Sequence, residues 1–342
     1  MLTRLHLLDF RCHADFQFAA AAGCNLLLGA NGRGKTSVLE AAYFLARGKS
    51  FRTHQTRELI RWGAAGFGIG GAFAGGDCQR LKVEWSEERR NLAVDGAENL
   101  SFREFWGRAP AVIFQNSDRQ IVTGGGQSRR QWADGLLASI HGGYLAAIQR
   151  AQLLLKQKNA LLRQERPDQA LWSALTEQLA DLSREVHRQR VAFTETAAPL
   201  LQQFYRDLTG HAETLTIAHA PKIPRCLDWS RDELWRRERE RGLALLGPHR
   251  DDWTLTLFDR PLRDFGSEGQ VKSAALALRI LEARLIHENT AAWPLLLIDD
   301  ALTDLDADRQ RNFWHHLPAD AQILHATTRP AAVPLPVTEV KI

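Results

Sequence analysis

No apolar run of this 342-residue chain approaches the roughly 18 residues that a membrane-spanning helix needs, which argues against an integral membrane protein. The opening residues, Met1 to Arg11, lack the apolar core and small-residue cleavage site of a secretory leader, so a cytoplasmic location is expected. Cysteine is sparse, and Cys12, Cys24, Cys78 and Cys226 form no C-x-x-C pair. Neither a disulfide framework nor a cysteine zinc site is indicated, and buried structural thiols are expected instead. An excess of one charge is also missing, because 44 Lys and Arg face 40 Asp and Glu for a net +4. Such a balance permits a nucleic-acid partner without demanding one. The remaining composition, 44% hydrophobic and 25% charged, is that of a soluble globular protein with one large or two ordinary domains.

What is present begins at Gly29. Gly29-Ala30-Asn31-Gly32-Arg33-Gly34-Lys35-Thr36 reads G-x-x-x-x-G-K-T, between an apolar strand pattern at Cys24 to Leu28 and a helical one at Thr36 to Leu45. Glycines at that spacing let backbone N–H groups turn onto phosphates at the positive end of the following helix. Lys35 is expected to reach the β- and γ-phosphates and Thr36 to ligate Mg²⁺, with Gly29 through Ser37 forming the cradle. The chain is therefore expected to handle a nucleoside triphosphate.

The first hundred residues read as strands and turns around one helix, with extended runs at Leu2 to Asp9, Phe67 to Phe73, Arg80 to Trp85 and Asn91 to Val94. Ala111 to Phe114 adds another. Beyond Gly124-Gly125-Gly126, Ser128 to Thr209 is almost wholly helical in pattern, with turns at Gly142-Gly143 and near Pro167. Leu171, Leu175, Leu179, Leu182, Val186, Phe193, Ala197, Leu200 and Phe204 recur at steps of three and four, apart from one gap holding Gln189 and Arg190. This stripe predicts a long helix packed antiparallel on a Tyr144 to Arg163 helix, and its dense polar faces suit a short coiled-coil arm.

Extended structure is expected again at Trp253 to Phe258, followed by a helix from Val271 to Glu288 and a buried strand at Trp293 to Ile298. Asp306 to Leu317 reads as a helix, and strands follow at Gln322 to His325 and Val337 to Ile342. Strand and helix alternation at both ends, around an all-helical insertion, predicts an α/β head built from residues 1–125 and 240–342, with a helical arm at 126–239. Two basic clusters stand out. Arg47, Lys49, Arg52, Arg57 and Arg61 have few acids among them and are a candidate phosphate-contacting surface. Arg231, Arg236, Arg237, Arg239 and Arg241 are interleaved with Asp232, Glu233, Glu238 and Glu240, as on a solvated helix face.

A phosphate loop does not separate kinases, GTPases and ATPases, so its distant companions matter. Leu295-Leu296-Leu297-Ile298-Asp299-Asp300 has the form of a Walker B strand, in which Asp299 would hold Mg²⁺ and Asp300 would polarise the attacking water. Thr303-Asp304-Leu305-Asp306 then resembles the D-loop of ABC-type ATPases, which makes Asp306 a nucleotide-site candidate. Phe265-Gly266-Ser267-Glu268-Gly269-Gln270 resembles the S-G-G-Q signature loop of ABC and SMC proteins, with Glu268 replacing a glycine. Taken alone, the hexapeptide reads as a helix cap. Its place upstream of the acidic pair favours a second cradle, in which Ser267, Gly269 and Gln270 meet a γ-phosphate held by another subunit.

Together these motifs resemble the RecF family of bacterial recombination and repair ATPases, which is related to SMC proteins. Leu8-Asp9-Phe10-Arg11 is similar to the family's L-x-x-F-R, Gly48-Lys49-Ser50-Phe51-Arg52 to its segment after the first helix, and Gly247-Pro248-His249-Arg250-Asp251-Asp252 to its G-P-H-R-D-D block. Two segments depart from the pattern. S-P-E-D becomes Gln115-Asn116-Ser117-Asp118, and G-x-P-x-x-R-R keeps Arg129, Arg130 and the later Asp134 but loses its proline. Where many ABC ATPases carry a switch histidine, His325-Ala326-Thr327-Thr328 stands, and the resemblance assigns γ-phosphate sensing to Thr327, with His325 a strand residue.

The resemblance implies an ABC/SMC-type head that binds ATP and Mg²⁺, dimerises head to tail and holds duplex DNA or gap junctions. It also implies slow, DNA-stimulated hydrolysis and work with RecR and RecO to direct RecA onto single-stranded gaps. Three alternatives remain at this point: a transporter's nucleotide-binding subunit, a small-molecule kinase, and a DNA scaffold with negligible hydrolysis.

Overall fold

The computed structural model describes residues 1–76, 78–221, 230–328 and 333–342, so the expectation for Cys226 lies outside the described residues. In chain order the elements begin β1 (Leu2–Phe10), β2 (His13–Ala19), β3 (Cys24–Leu28), α1 (Lys35–Arg47), β4 (Gly66–Phe73), β5 (Arg80–Ser86), β6 (Arg90–Val94), α2 (Phe102–Phe105) and β7 (Ala111–Gln115). There follow α3 (Arg119–Thr123), α4 (Gly126–Ile140), α5 (Tyr144–Leu162), α6 (Gln169–Thr209), β8 (Leu215–Ala220), α7 (Arg231–Arg241), β9 (Asp252–Leu257), β10 (Arg260–Pro261) and α8 (Leu262–Phe265). The chain closes with α9 (Glu268–Thr290), β11 (Leu295–Asp299), α10 (Ala307–His316), β12 (Ile323–Thr327) and β13 (Val337–Lys341).

Two compact units divide these elements, Met1–Asp118 with Leu278–Ile342, and Arg119–Ala277. The second is wider than the expected 126–239 because β8, which the sequence did not suggest, pairs antiparallel with β9 in the sheet β10-β9-β8. That sheet packs on α4 and α6, so the Gly247 to Asp252 block belongs with the helices.

In the first unit, the parallel sheet β13-β3-β12-β11-β7 and the antiparallel sheet β2-β1-β4-β5-β6 both contact α1. Val38, Leu39, Ala41, Ala42, Phe44, Leu45 and Ala46 are buried around that helix, as expected of one covered on several sides. Unbroken apolar runs such as Leu296 to Ile298 and Val112 to Phe114 suit strands covered on two faces. In β1, Leu5 and Leu7 point inward, and a register shift between Leu2 and Arg4 lets Leu2 join them out of step. Gly48, at φ 60, ends α1 by donating its N–H to Phe44 O at 2.7 Å.

In the second unit, Asp168 caps α6 by accepting from the N–H groups of Ala170 and Leu171, and Gly210 ends it at φ 69. Tyr144 at the start of α5 meets Arg190 in the middle of α6, while Lys158 late in α5 lies over Trp172 early in α6. The two helices are therefore antiparallel, as expected. The stripe needs correction at its ends: Leu171 is 49% exposed beside a buried Trp172, and the inward residues after Ala197 are Leu201, Tyr205 and Leu208 rather than Leu200 and Phe204. Arg190 fills the apparent gap, fully buried. A buried cation thus carries the inward face where a hydrophobicity pattern sees a break.

The basic helix α7 has one inward face, from which Glu238 pairs with Lys158 at 2.7 Å and accepts from Trp172 Nε1 at 2.7 Å. Its outer face carries the expected i,i+4 pair, Arg237 with Glu233. Cys24 and Cys78 are buried as expected, but Cys12 is exposed. Trp132, Trp172, Trp253 and Trp314 are buried, whereas Trp62 is 97% exposed.

Candidate nucleotide site

The register of the parallel sheet gathers the site. Leu28, before the phosphate loop, aligns with Thr327 of β12 and Lys341 of β13, while Asp299 of β11 aligns with Ala326 and with Gln115 of β7. The phosphate loop, Asp299-Asp300, Thr327 and Gln115 therefore leave the same end of the sheet, the carboxyl end at which parallel sheets hold ligands. Gly32 and Gly34 have φ of 80° and 97°, and a Cβ on Gly34 would overlap Cys12 and His13. Glycine is required at 34 by conformation and by space.

Lys35 is 7% exposed, and its ammonium donates to Gly29 O at 2.7 Å and Ala30 O at 3.0 Å. Thr36 Oγ1 donates to Asp299 Oδ1 at 2.9 Å, joining residues from opposite ends of the sequence. Burial raises the Asp299 carboxyl above its ordinary range, against the opposing effect of the Thr36 hydrogen bond. Ser37 is buried, whereas Ala30, Asn31, Gly32 and Arg33 are exposed. Asp300 is exposed at φ 51, a left-handed conformation that Asp tolerates better than most residues. Asp306 caps α10 by accepting from Arg309 N at 2.8 Å.

Ser267, Gly269 and Gln270 lie in the second unit. Ser267 Oγ accepts from Gln270 N at 3.2 Å, and Gln270 Oε1 accepts from Ser267 N at 2.9 Å. This reciprocal pair is a capping box at the start of α9. Gln270 Nε2 also donates to Glu213 at 2.8 Å, and Ser267 is exposed.

Sequence reasoning missed Glu40, a fully buried acid on the apolar helix α1. Arg11 donates to its two oxygens at 2.8 and 2.9 Å, Ser50 Oγ donates at 2.5 Å, and Arg52 lies at 3.4 Å. Glu40 thereby ties Leu8 to Arg11 and Gly48 to Arg52 to the helix that follows the phosphate loop. An acid amid apolar neighbours was its one sequence signal. The first basic cluster also reads differently in the structure. Arg47 is buried against Glu282, Arg57 pairs with Glu87, and Arg61 pairs with Asp9. With Arg52 on Glu40, four of its cations have acidic partners.

The two altered segments are held by side chains. Asp118 accepts from Gln115 N at 2.9 Å and from Arg279 at 2.7 Å, fixing the turn after β7. Arg129 donates to Gly124 O at 2.7 Å and grips Asp252 with two bonds, while Arg130 donates to Asp251 O at 2.8 Å. These bonds fix the turn without the missing proline.

His325 lies inside β12, 4% exposed, whereas Thr327 is at the strand's end. Burial lowers the His325 pKa to about 4. An unfolded histidine titrates near 6.5, so the unfolded chain binds the extra proton between those values. Stability contributed by neutral His325 is therefore present above about pH 6.5 and is lost as pH falls toward 4, by on the order of 3 kcal/mol. Denaturant unfolding at about pH 7 and about pH 5 is expected to show a smaller acid loss for His325→Leu than for the parent chain. Equal losses would remove His325 from the account.

Comparison with known proteins gives a family from sequence and a fold from structure. The AAA domain family matches residues 4–190. The DNA replication and repair protein RecF of an Exiguobacterium species is 32% identical over 344 residues, covering 96% of this chain and 92% of the relative. The protein of the same description from Herpetosiphon aurantiacus is 34% identical, covering 91% and 88%. A solved structure of the recombination mediator protein RecF with ATP in the RecFOR pathway matches with a TM-score of 0.89 at 24% identity, covering 97% of this chain and 93% of that one. An SMC head bound to the C-winged helix domain of ScpA matches with a TM-score of 0.57 at 13% identity, covering 96% and 90%. Among the described residues no helix is long and apolar enough to cross a membrane. With its phosphate loop and acidic strand brought together on a head of this fold, the chain belongs to the RecF family.

Proposed function

We propose that this chain is an ATP-dependent DNA-binding protein of recombinational repair whose dimerisation is driven by ATP. The observation that carries the reading is the 2.9 Å bond from Thr36 to Asp299, which places the loop's hydroxyl against the acid of the opposing strand. Thr36 and Asp299 would hold Mg²⁺, which would neutralise phosphate charge. The burial-raised Asp299 carboxyl is a group that a cation would stabilise in its ionised form. Gly29 through Ser37 would cradle the phosphates, with Lys35 exchanging its carbonyl partners for phosphate oxygens. Asp300 would polarise water for attack on the γ-phosphorus as the bond to the β-phosphate oxygen breaks and ADP leaves. Thr327 would sense the γ-phosphate, and Asp306 would lie at the dimer face. Ser267, Gly269 and Gln270 of a second copy would complete the site.

By family, RecR, RecO and RecA-type proteins are the proposed partners, and DNA duplexes or gap junctions the substrate. The family assignment displaces the transporter and kinase alternatives. A scaffold with negligible hydrolysis keeps support from Asp300, whose short side chain stands exposed on left-handed backbone. Phosphate release with and without DNA separates the two: turnover that DNA stimulates supports the ATPase, and none supports the scaffold.

Ser267→Arg is expected to block ATP-dependent dimerisation while sparing ATP binding, because the exposed cap would present a bulky cation to the partner's nucleotide. Sedimentation with ATP measures it. A Ser267→Arg chain that still dimerises would sink the shared-site reading.

A further inference from the structure

We propose that the second unit holds a zinc site formed by His187, His219 and Asp251. These residues come from α6, β8 and the turn before β9, and each offers one ligand atom within 4.8 Å of the others. His219 Nε2 lies 3.5 Å from Asp251 Oδ2, and the two side chains are 4% and 1% exposed. Neighbouring ligands on a tetrahedral zinc with bonds of about 2.0–2.1 Å sit roughly 3.3 Å apart, so this pair already has the spacing. His187 must close by a small movement to complete the set.

A second observation points to a ligand. His187 Nδ1 and His219 Nδ1 are buried with no hydrogen-bond partner among the described residues, and His219 Nε2 has only the Asp251 carboxylate, at 3.5 Å. Buried imidazole nitrogens without partners are costly, and a metal ion satisfies one on each ring. Two imidazoles and one carboxylate suit Zn²⁺ and disfavour Mg²⁺ or Ca²⁺, which take oxygen ligands.

The surroundings provide the support that metal sites require. Arg190 donates to Asp251 Oδ2 at 2.8 Å and to Asp134 at 2.7 Å, and Tyr144 OH donates to Asp134. Arg190 thereby fixes the orientation of the Asp251 carboxylate. Its positive charge opposes a cation, and Asp134 balances that charge. A bound ion would pin the middle of α6 to the β8-β9 pair, on which the Gly247 to Asp252 block is built.

The test uses the full chain. After equilibrium dialysis against Zn²⁺, elemental analysis is expected to give one tightly held ion per chain, and Co²⁺ in its place a visible spectrum of four-coordinate intensity. His187→Gln and His219→Gln are each expected to lose the ion and the spectrum, while Asp299→Ala keeps them. Circular dichroism in EDTA checks that each variant is folded. His187 is half-buried, so its variant remains informative if His219→Gln fails to fold. No retained ion in the parent chain, or retention unchanged in His187→Gln, would overturn the site. So would loss in Asp299→Ala alone, which places the ion at the phosphate loop.

Discussion

Lys35→Met is expected to lower ATP turnover at least about 100-fold and to abolish ATP-dependent dimerisation, while leaving the melting temperature of the nucleotide-free chain within a few degrees. The ammonium is enclosed by the loop itself, bonded at 2.7 and 3.0 Å to two of its carbonyls. In the proposed role a charge so placed would interact strongly with developing negative charge on the transferred phosphoryl group, because water competes little for it. Methionine keeps the length and apolar stem but supplies neither charge nor donor. Phosphate release and sedimentation with ATP measure the two effects. Turnover within about tenfold of the parent chain would remove Lys35 from the role.

Glu40→Ala is expected to destabilise the first unit by about 3 kcal/mol and to weaken nucleotide binding with it. The acid is fully buried, and its removal leaves Arg11, 19% exposed, without the carboxylate that two of its nitrogens contact. Arg52 is 45% exposed, so its own pairing adds little. Glu40→Gln keeps the shape and two hydrogen-bonding atoms and should cost less than the alanine. Urea unfolding with nucleotide titration reads both. An alanine variant as stable as the parent would show that the network is not what holds the motifs.

The candidate nucleotide site stands out in the sequence because its expected chemistry is written in short runs. Gly29 through Thr36 and Ser267 to Gln270 each join a turn to a helix, and Leu295 to Asp300 is a strand ending in acids; local patterns report such arrangements. Glu40, Arg190 and Asp118 were not legible in this way. Each is a buried charge whose partner lies far along the chain; hydrophobic periodicity registers Glu40 and Arg190 as faults in a helical pattern, and Asp118 lies in a turn where no pattern reports burial. β8 was missed for a related reason. Its inward residues, Leu215 and Ile217, alternate over too short a run to stand out before β9 is known to lie beside it.

The loop's hold on its own lysine has a thermal consequence. Lys35 is already stripped of most of its water and held by the loop's own carbonyls, so in the proposed reading nucleotide binding would exchange one set of oxygen partners for another without folding the loop. Coupled folding buries apolar surface and leaves a large negative heat-capacity change, which partner exchange does not. The heat of nucleotide binding to the isolated chain should therefore vary little with temperature, and a steep variation should appear only when two copies close on each other.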